Sequence, residues 1–216
     1  MEKVFKFSNK SIIFSVILVL VSLTISVSIG AAEISTDEIV GIFLREILGY
    51  QSNTEINNIN KIIVLEWRLP RFCLGFLVGA SLAIAGCGFQ GVFKNPLADP
   101  FLLGSAAGAG LGVTLVIVND LNYSFGIINS VQLGAFIGAL GAVICAAFIS
   151  ISAGKSIASL LLAGIATAAF LTACQTYLMH KYYSSMQEIY SWIIGRLLTS
   201  GWEDVITILP YFTVCF

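Results

Sequence analysis

Residues 72–93 read FCLGFLVGASLAIAGCGFQGVF, a run without a single charge, closed by Arg71 on one side and Lys94 on the other. At 1.5 Å per residue it makes a helix of about 33 Å, enough to cross the hydrocarbon core of a bilayer. Outward from it, the charges fall in clumps and leave further charge-free runs at 11–32, 101–119, 121–154 and 156–179. In the run from Leu121, Asn122, Tyr123, Ser124 and Gly126 read as a short turn, which leaves a helix over about 127–152. The pattern predicts five complete spans at 11–32, 72–93, 101–119, 127–152 and 156–179, and the start of a sixth at 205–216.

Composition agrees with this reading. Of 216 residues 57% are hydrophobic and only 11% charged, against about 25% charged in soluble proteins. Charge that sparse cannot cover a soluble surface, and it excludes a disordered chain and a nucleic-acid binder. The first run follows Lys3, Lys6 and Lys10 and ends on small residues at 29–32, as a signal peptide does. It is longer than the signal h-region of about 7–15 residues and reads as an uncleaved span. With the N-terminus in the cytoplasm, Lys3, Lys6, Lys10, Lys94 and Lys155 lie inside against only Glu2 and Asp99, a positive-inside bias.

Helices in lipid gain little from burying apolar surface on one another, so they associate through small residues four apart. Gly75 and Gly79 are so placed in the second span, Gly104, Gly108 and Gly112 in the third, and Gly134 and Gly138 in the fourth. Such rows predict a multi-helix bundle rather than separate anchors. Two outer amphipathic helices are expected at 36–48, opened by the capping-box pattern Ser35 to Glu38, and at about 185–198, where Trp192 and Trp202 suit an interface.

Residues 86–91 (GCGFQG) satisfy the G-x-G-x-x-G pattern, but they close a membrane helix instead of following a strand. Gly154-Lys155-Ser156 lacks the leading glycine of a phosphate loop. Cys73, Cys87, Cys145, Cys174 and Cys215 are scattered through apolar runs, and His180 stands alone, so no metal-ligand constellation is present in the sequence.

Two segments carry polar chemistry beyond packing. At 66–71 (EWRLPR), Pro70 suits the first turn of the second span, and Arg68 and Arg71 flank it as a rigid, exposed cationic pair fit for bidentate contact with carboxylates. At 94–100 (KNPLADP), two prolines stiffen the turn to the third span, with Asn95 and Leu97 placed to form a constriction.

Arg68-Leu69-Pro70-Arg71, 79–86 (GASLAIAG) running to Gln90, 95–104 (NPLADPFLLG), Gly108-Ala109-Gly110, 160–166 (LLLAGIA) and Trp192-Ile193-Ile194-Gly195 to Trp202 follow one another in order. This set resembles the FecCD/BtuC-like permease subunits of bacterial and archaeal ABC importers for iron-siderophores, haem and cobalamin, over about 63–204. The resemblance implies an all-α, polytopic integral-membrane bundle with the BtuC-like (type II importer) permease fold, paired with a second copy or a homologous subunit. It implies that Arg68 and Arg71 dock an extracytoplasmic substrate-binding protein through its glutamates. Asn95, Pro96 and Leu97 would close the cytoplasmic end of the path. The turn 155–159 would form a second inner constriction, with Ile157 and Ala158 where small hydroxyl residues can stand. The helix over 186–198 would lie near the outer gate. ATP would be hydrolysed by a separate ATPase subunit, with no cofactor on this chain and no catalytic site of its own, and the location would be the cytoplasmic membrane.

Members of that family have further spans, so the chain is expected to be the N-terminal portion of the fold, without the surface that couples to the ATPase, and unable to transport unless a companion chain supplies the rest. The alternative is a non-transporting structural bundle or degenerate permease fragment, which neighbouring genes for an ATPase and a binding protein would argue against. A membrane enzyme would need paired acids, a His cluster or an activated nucleophile within its spans, and a secondary transporter an intramembrane acid; the spans hold none.

Overall fold

In lipid a backbone must satisfy its own N–H and C=O groups, and the apolar runs do so as helices. The computed structural model describes residues 8–46, 49, 56–96, 98–121, 123–126, 128–195 and 197–215. Among them, four helical stretches are long and apolar enough to cross a membrane: Asn9–Ser28, Asn58–Phe93, Ser130–Ser152 and Ile157–Lys181. The contacts divide the chain into two compact units, Met1–Leu77 with Leu197–Ile206, and Val78–Arg196 with Thr207–Phe216.

The first unit is built from α1 (Asn9–Ser28), α2 (Thr36–Glu46), α3 (Asn58–Ile62), a π-helical turn at Ile63–Arg68, the start of α4 (Leu69–Phe93) and the first turn of α9 (Trp202–Cys215). Its core is Val27, Ile34, Ile39, Ile42 and Val64, with Leu23, Phe43 and Leu65 packed against it. α2 turns Ile39 and Ile42 inward and leaves Val40 exposed, as an amphipathic helix does. Ile47 and Leu48, the end of the expected 36–48 helix, lie outside the described residues. Ser35 Oγ accepts from the Glu38 amide at 3.3 Å. The Glu38 carboxylate does not complete the box. It accepts instead from the Asn57 amide and from Asn60 Nδ2, both at 2.9 Å, and so secures the start of α3 to α2.

Helix α4 does not begin at Pro70. The chain is already helical from Asn58, and Pro70 lies inside it, just after the π turn, where the Leu69 amide donates to the Val64 carbonyl five residues back. A proline cannot donate to the carbonyl four residues before it and its ring crowds that carbonyl; widening the helix by one residue accommodates it.

The second unit centres on α5 (Ser105–Val118), α6 (Ser130–Ser152) and α7 (Ile157–Lys181), which pack mutually, with α8 (Met186–Ile194) beside α5 and α7. The run expected as a third span, 101–119, is not one helix. Pro100–Leu103 forms a 3-10 turn whose first amide is capped by Asp99, Oδ1 accepting from the Phe101 amide at 2.8 Å. Gly104 then takes φ +79°, and α5 has 14 residues. That is about 21 Å, shorter than a full crossing. Between α5 and α6 the predicted turn is a two-stranded hairpin, β1 (Ser124–Phe125) and β2 (Ile128–Asn129), antiparallel with Phe125 opposite Ile128; Asn122 and Ile127 are outside the described residues. Asn129 and Gln132 form a capping box on α6, and Ser156 and Ser159 form one on α7. α8 stops before the expected 198, at Gly195 with φ +100°. Large apolar side chains point outward on these helices, among them Phe136, Leu162 and Phe170, as membrane-facing residues do.

Candidate functional site

The arginine motif lies in the first unit and its two cations have different surroundings. Arg68 ends the π turn and is 7% exposed. Its guanidinium donates from Nη1 to the Val27 carbonyl at 2.5 Å and the Ser28 carbonyl at 3.4 Å, and from Nη2 to the Ala32 carbonyl at 2.6 Å. A helix leaves its last carbonyls without intrahelical donors, and its C-terminus carries partial negative charge. Arg68 therefore caps α1. The expectation of two exposed arginines is corrected here: the end of α1 covers Arg68 because those carbonyls need a donor. Gly30 makes room for it, since a β-carbon there would stand 2.6 Å from Nη2. Arg71 is half-buried, one turn further along. It borders a groove of about 290 Å³ with Ser26, Ile29, Gly30, Arg68 and Trp67, the last 61% exposed.

The proline-rich turn follows the other end of α4. Lys94 takes φ +48°, the Asn95 amide donates to the Gln90 carbonyl at 3.2 Å, and the Ala98 amide to the Asn95 carbonyl at 3.1 Å. These bonds and Pro96 fold the turn back on itself. Leu97 lies outside the described residues. A cavity of about 350 Å³ beside the turn is lined by Leu82, Gly86, Gln90, Pro96, Asp99 and Phe101.

The turn between α6 and α7 carries Ile157 and Ala158, both exposed on the first turn of α7. What orders this turn is a set of hydroxyls that the reading of Ile157 and Ala158 passed over. Ser150 Oγ and Ser159 Oγ are 2.9 Å apart, and the amides of Ser156 and Ser159 are each bonded by the other's hydroxyl at 3.0 Å. The signal was present as serines at 150, 152, 156 and 159. Gly164, two turns into α7, brings this helix onto the Leu102–Leu103 backbone: a β-carbon there would overlap the Leu102 carbonyl. One end of the second unit thus holds both turns.

The packing glycines divide clearly. Gly108 faces Gly138 and Gly112 faces Gly134 across α5 and α6, so closely that a β-carbon on Gly108, Gly112 or Gly138 would overlap a backbone carbonyl of the opposite helix. Gly104 lies against Gly164 and Ala168. A β-carbon on Gly75 or Gly79 would meet nothing within 4 Å, so among the described residues no helix packs closely on them. Two buried polar residues of α7 escaped sequence reading. Thr167 and Gln175 leave Oγ1 and Nε2 without a hydrogen-bond partner, and Gln175 lies against Gly110.

Fold and motifs together define an all-helical integral-membrane protein of the kind built by ABC importer permeases. Residues 18–216 match the FecCD transport family, and the chain belongs to that family. It is 36% identical over 207 residues to the Fe(3+)-citrate import system permease protein YfmE of Bacillus subtilis, covering 95% of this chain and 57% of the relative. It is 37% identical over 155 residues to the cobalamin import system permease protein BtuC of Halobacterium salinarum, covering 71% and 41%. A solved structure described as an inward-facing conformation of a metal-chelate type ABC transporter superposes with a TM-score of 0.72 at 24% identity, over 96% of this chain and 60% of that one. This likeness shows the fold. The chain spans about half the length of the curated relatives it matches.

Proposed function

We propose that the chain forms part of the permease of an ABC importer that carries an iron-siderophore, haem or cobalamin-type chelate across the cytoplasmic membrane. The observation that carries this is the match of residues 18–216 to the FecCD transport family, with relatives named for ferric citrate and cobalamin import. Order along the chain supports the reading: the arginine motif stands where α4 begins and the proline-rich turn follows where it ends.

In this reading the N-terminus is cytoplasmic and the end of α4 bearing Arg71 is extracytoplasmic. Arg71 and its groove receive a carboxylate of a substrate-binding protein, a charge-assisted contact. Arg68 supports that surface from beneath by holding α1. At the cytoplasmic end, the turn carrying Asn95, Pro96 and Leu97 closes the path, and the Ile157–Ala158 turn closes it a second time. The path itself runs along a pairing with a second copy or a homologous subunit, and a separate ATPase supplies the energy. The permease makes and breaks no bond; it exchanges two conformations whose populations the partners shift.

The test is charge reversal at Arg71, the less buried member of the pair. In the assembled transporter, Arg71→Glu should abolish capture of the binding protein and chelate uptake while leaving the amount of protein in the membrane unchanged. Unaltered capture would remove the docking role.

A further inference from the structure

Pro70 leaves a defect in the helix that a residue far along the chain repairs. In the π turn at Ile63–Arg68 the bonds run five residues back, and the Leu69 amide donates to the Val64 carbonyl. The next bond of that series would join residue 70 to the Leu65 carbonyl, and proline has no N–H. The Leu65 carbonyl thus loses its helical donor. An orphaned carbonyl beside an apolar core is costly, and Leu65 packs on the core of Val27, Ile34, Ile39, Ile42 and Val64. The vacancy is filled by Trp202, whose indole Nε1–H donates to the Leu65 carbonyl at 2.9 Å from 137 residues away.

The position of this bond gives it a role. One extra residue in a helical turn rotates everything after it by about 100° relative to an uninterrupted α-helix. The π turn therefore decides that Arg68 meets the carbonyls of α1, and it sets the direction Arg71 faces one turn later. A helix that relaxed to α geometry would misdirect both.

We propose that Trp202 is a positioning residue of the docking face: its indole N–H stands in for the amide that Pro70 lacks, and so holds the π turn that aims Arg68 and Arg71. The docking part of this rests on the reading of Arg71 given above. Trp202, which its composition and place assign to the membrane interface, has a specific acceptor instead of general amphipathic contact. The first turn of α9 is thereby tied to the arginine motif.

The test is a double-mutant cycle in the full-length protein, reconstituted in lipid nanodiscs. Trp202→Phe keeps an aromatic ring and removes the donor, while Pro70→Ala returns an amide that can serve Leu65. The four proteins are compared by hydrogen exchange over residues 63–72 and by capture of the purified substrate-binding protein of the same transporter. Trp202→Phe alone should speed exchange about tenfold, the scale of one lost hydrogen bond, and weaken capture several-fold. Both losses should largely vanish when Pro70→Ala is also present. Equal losses in the two backgrounds, or unchanged exchange on Trp202→Phe, would overturn the proposal. Altered exchange with unaltered capture would overturn the positioning role. Capture that survives Arg71→Glu while the exchange cycle holds would remove the docking reading and leave the indole-for-amide substitution standing.

Discussion

Arg68 and Arg71 carry the same charge within one turn of helix, yet their surroundings differ. Arg68 serves the carbonyls of Val27, Ser28 and Ala32, so Arg68→Ala should destabilise the protein by roughly 2–4 kcal/mol, because it leaves one buried and two part-buried acceptors without their donor. Arg68→Lys should recover only part of this, since a single ammonium cannot span carbonyls that a guanidinium fork reaches from two nitrogens. Thermal unfolding in detergent measures both. Arg71→Glu should cost less stability than Arg68→Ala, because Arg71 is the less buried of the two. The motif was legible in the sequence as Arg68-Leu69-Pro70-Arg71. The burial of Arg68 was not, because it depends on where the end of α1 arrives, some forty residues earlier in the chain. Gly30 and the hydroxyls of Ser150 and Ser159 were unread for the same reason: each acts on a residue distant in sequence or across a turn.

Helix packing can be tested at the glycines. Gly108→Val and Gly138→Val would drive a β-carbon into a backbone carbonyl of the facing helix, which no rotamer change relieves. Each should destabilise the α5–α6 pair by roughly 3 kcal/mol or more, as overpacking at a rigid contact does. Gly75→Ala and Gly79→Ala meet nothing within 4 Å and should be neutral or stabilising by up to about 1 kcal/mol from helix propensity. Unfolding by denaturant separates the two groups. Ser156→Ala should cost about 1 kcal/mol through loss of the cap on α7. Of the five charge-free runs read as spans, four lie in long apolar helices, because lipid imposes that pattern directly. The interruption at Gly104 and the π turn before Pro70 were hidden, since both arise when a helix yields to local geometry without any change of polarity. Small residues four apart identified Gly108, Gly112, Gly134 and Gly138 as packing candidates but could not distinguish them from Gly75 and Gly79, for which the described chain supplies no opposing helix.

For the whole molecule, the match over residues 18–216 establishes membership of the FecCD transport family, and the superposition at a TM-score of 0.72 establishes the fold. The most direct measurement is uptake of labelled ferric citrate, haem and cobalamin by cells lacking the gene, complemented with the wild-type gene or with Arg71→Glu. Deletion is expected to abolish ATP-dependent uptake of one of these chelates, the wild-type gene to restore it, and Arg71→Glu to fail despite normal insertion in the membrane. Undiminished uptake of all three after deletion would contradict the account.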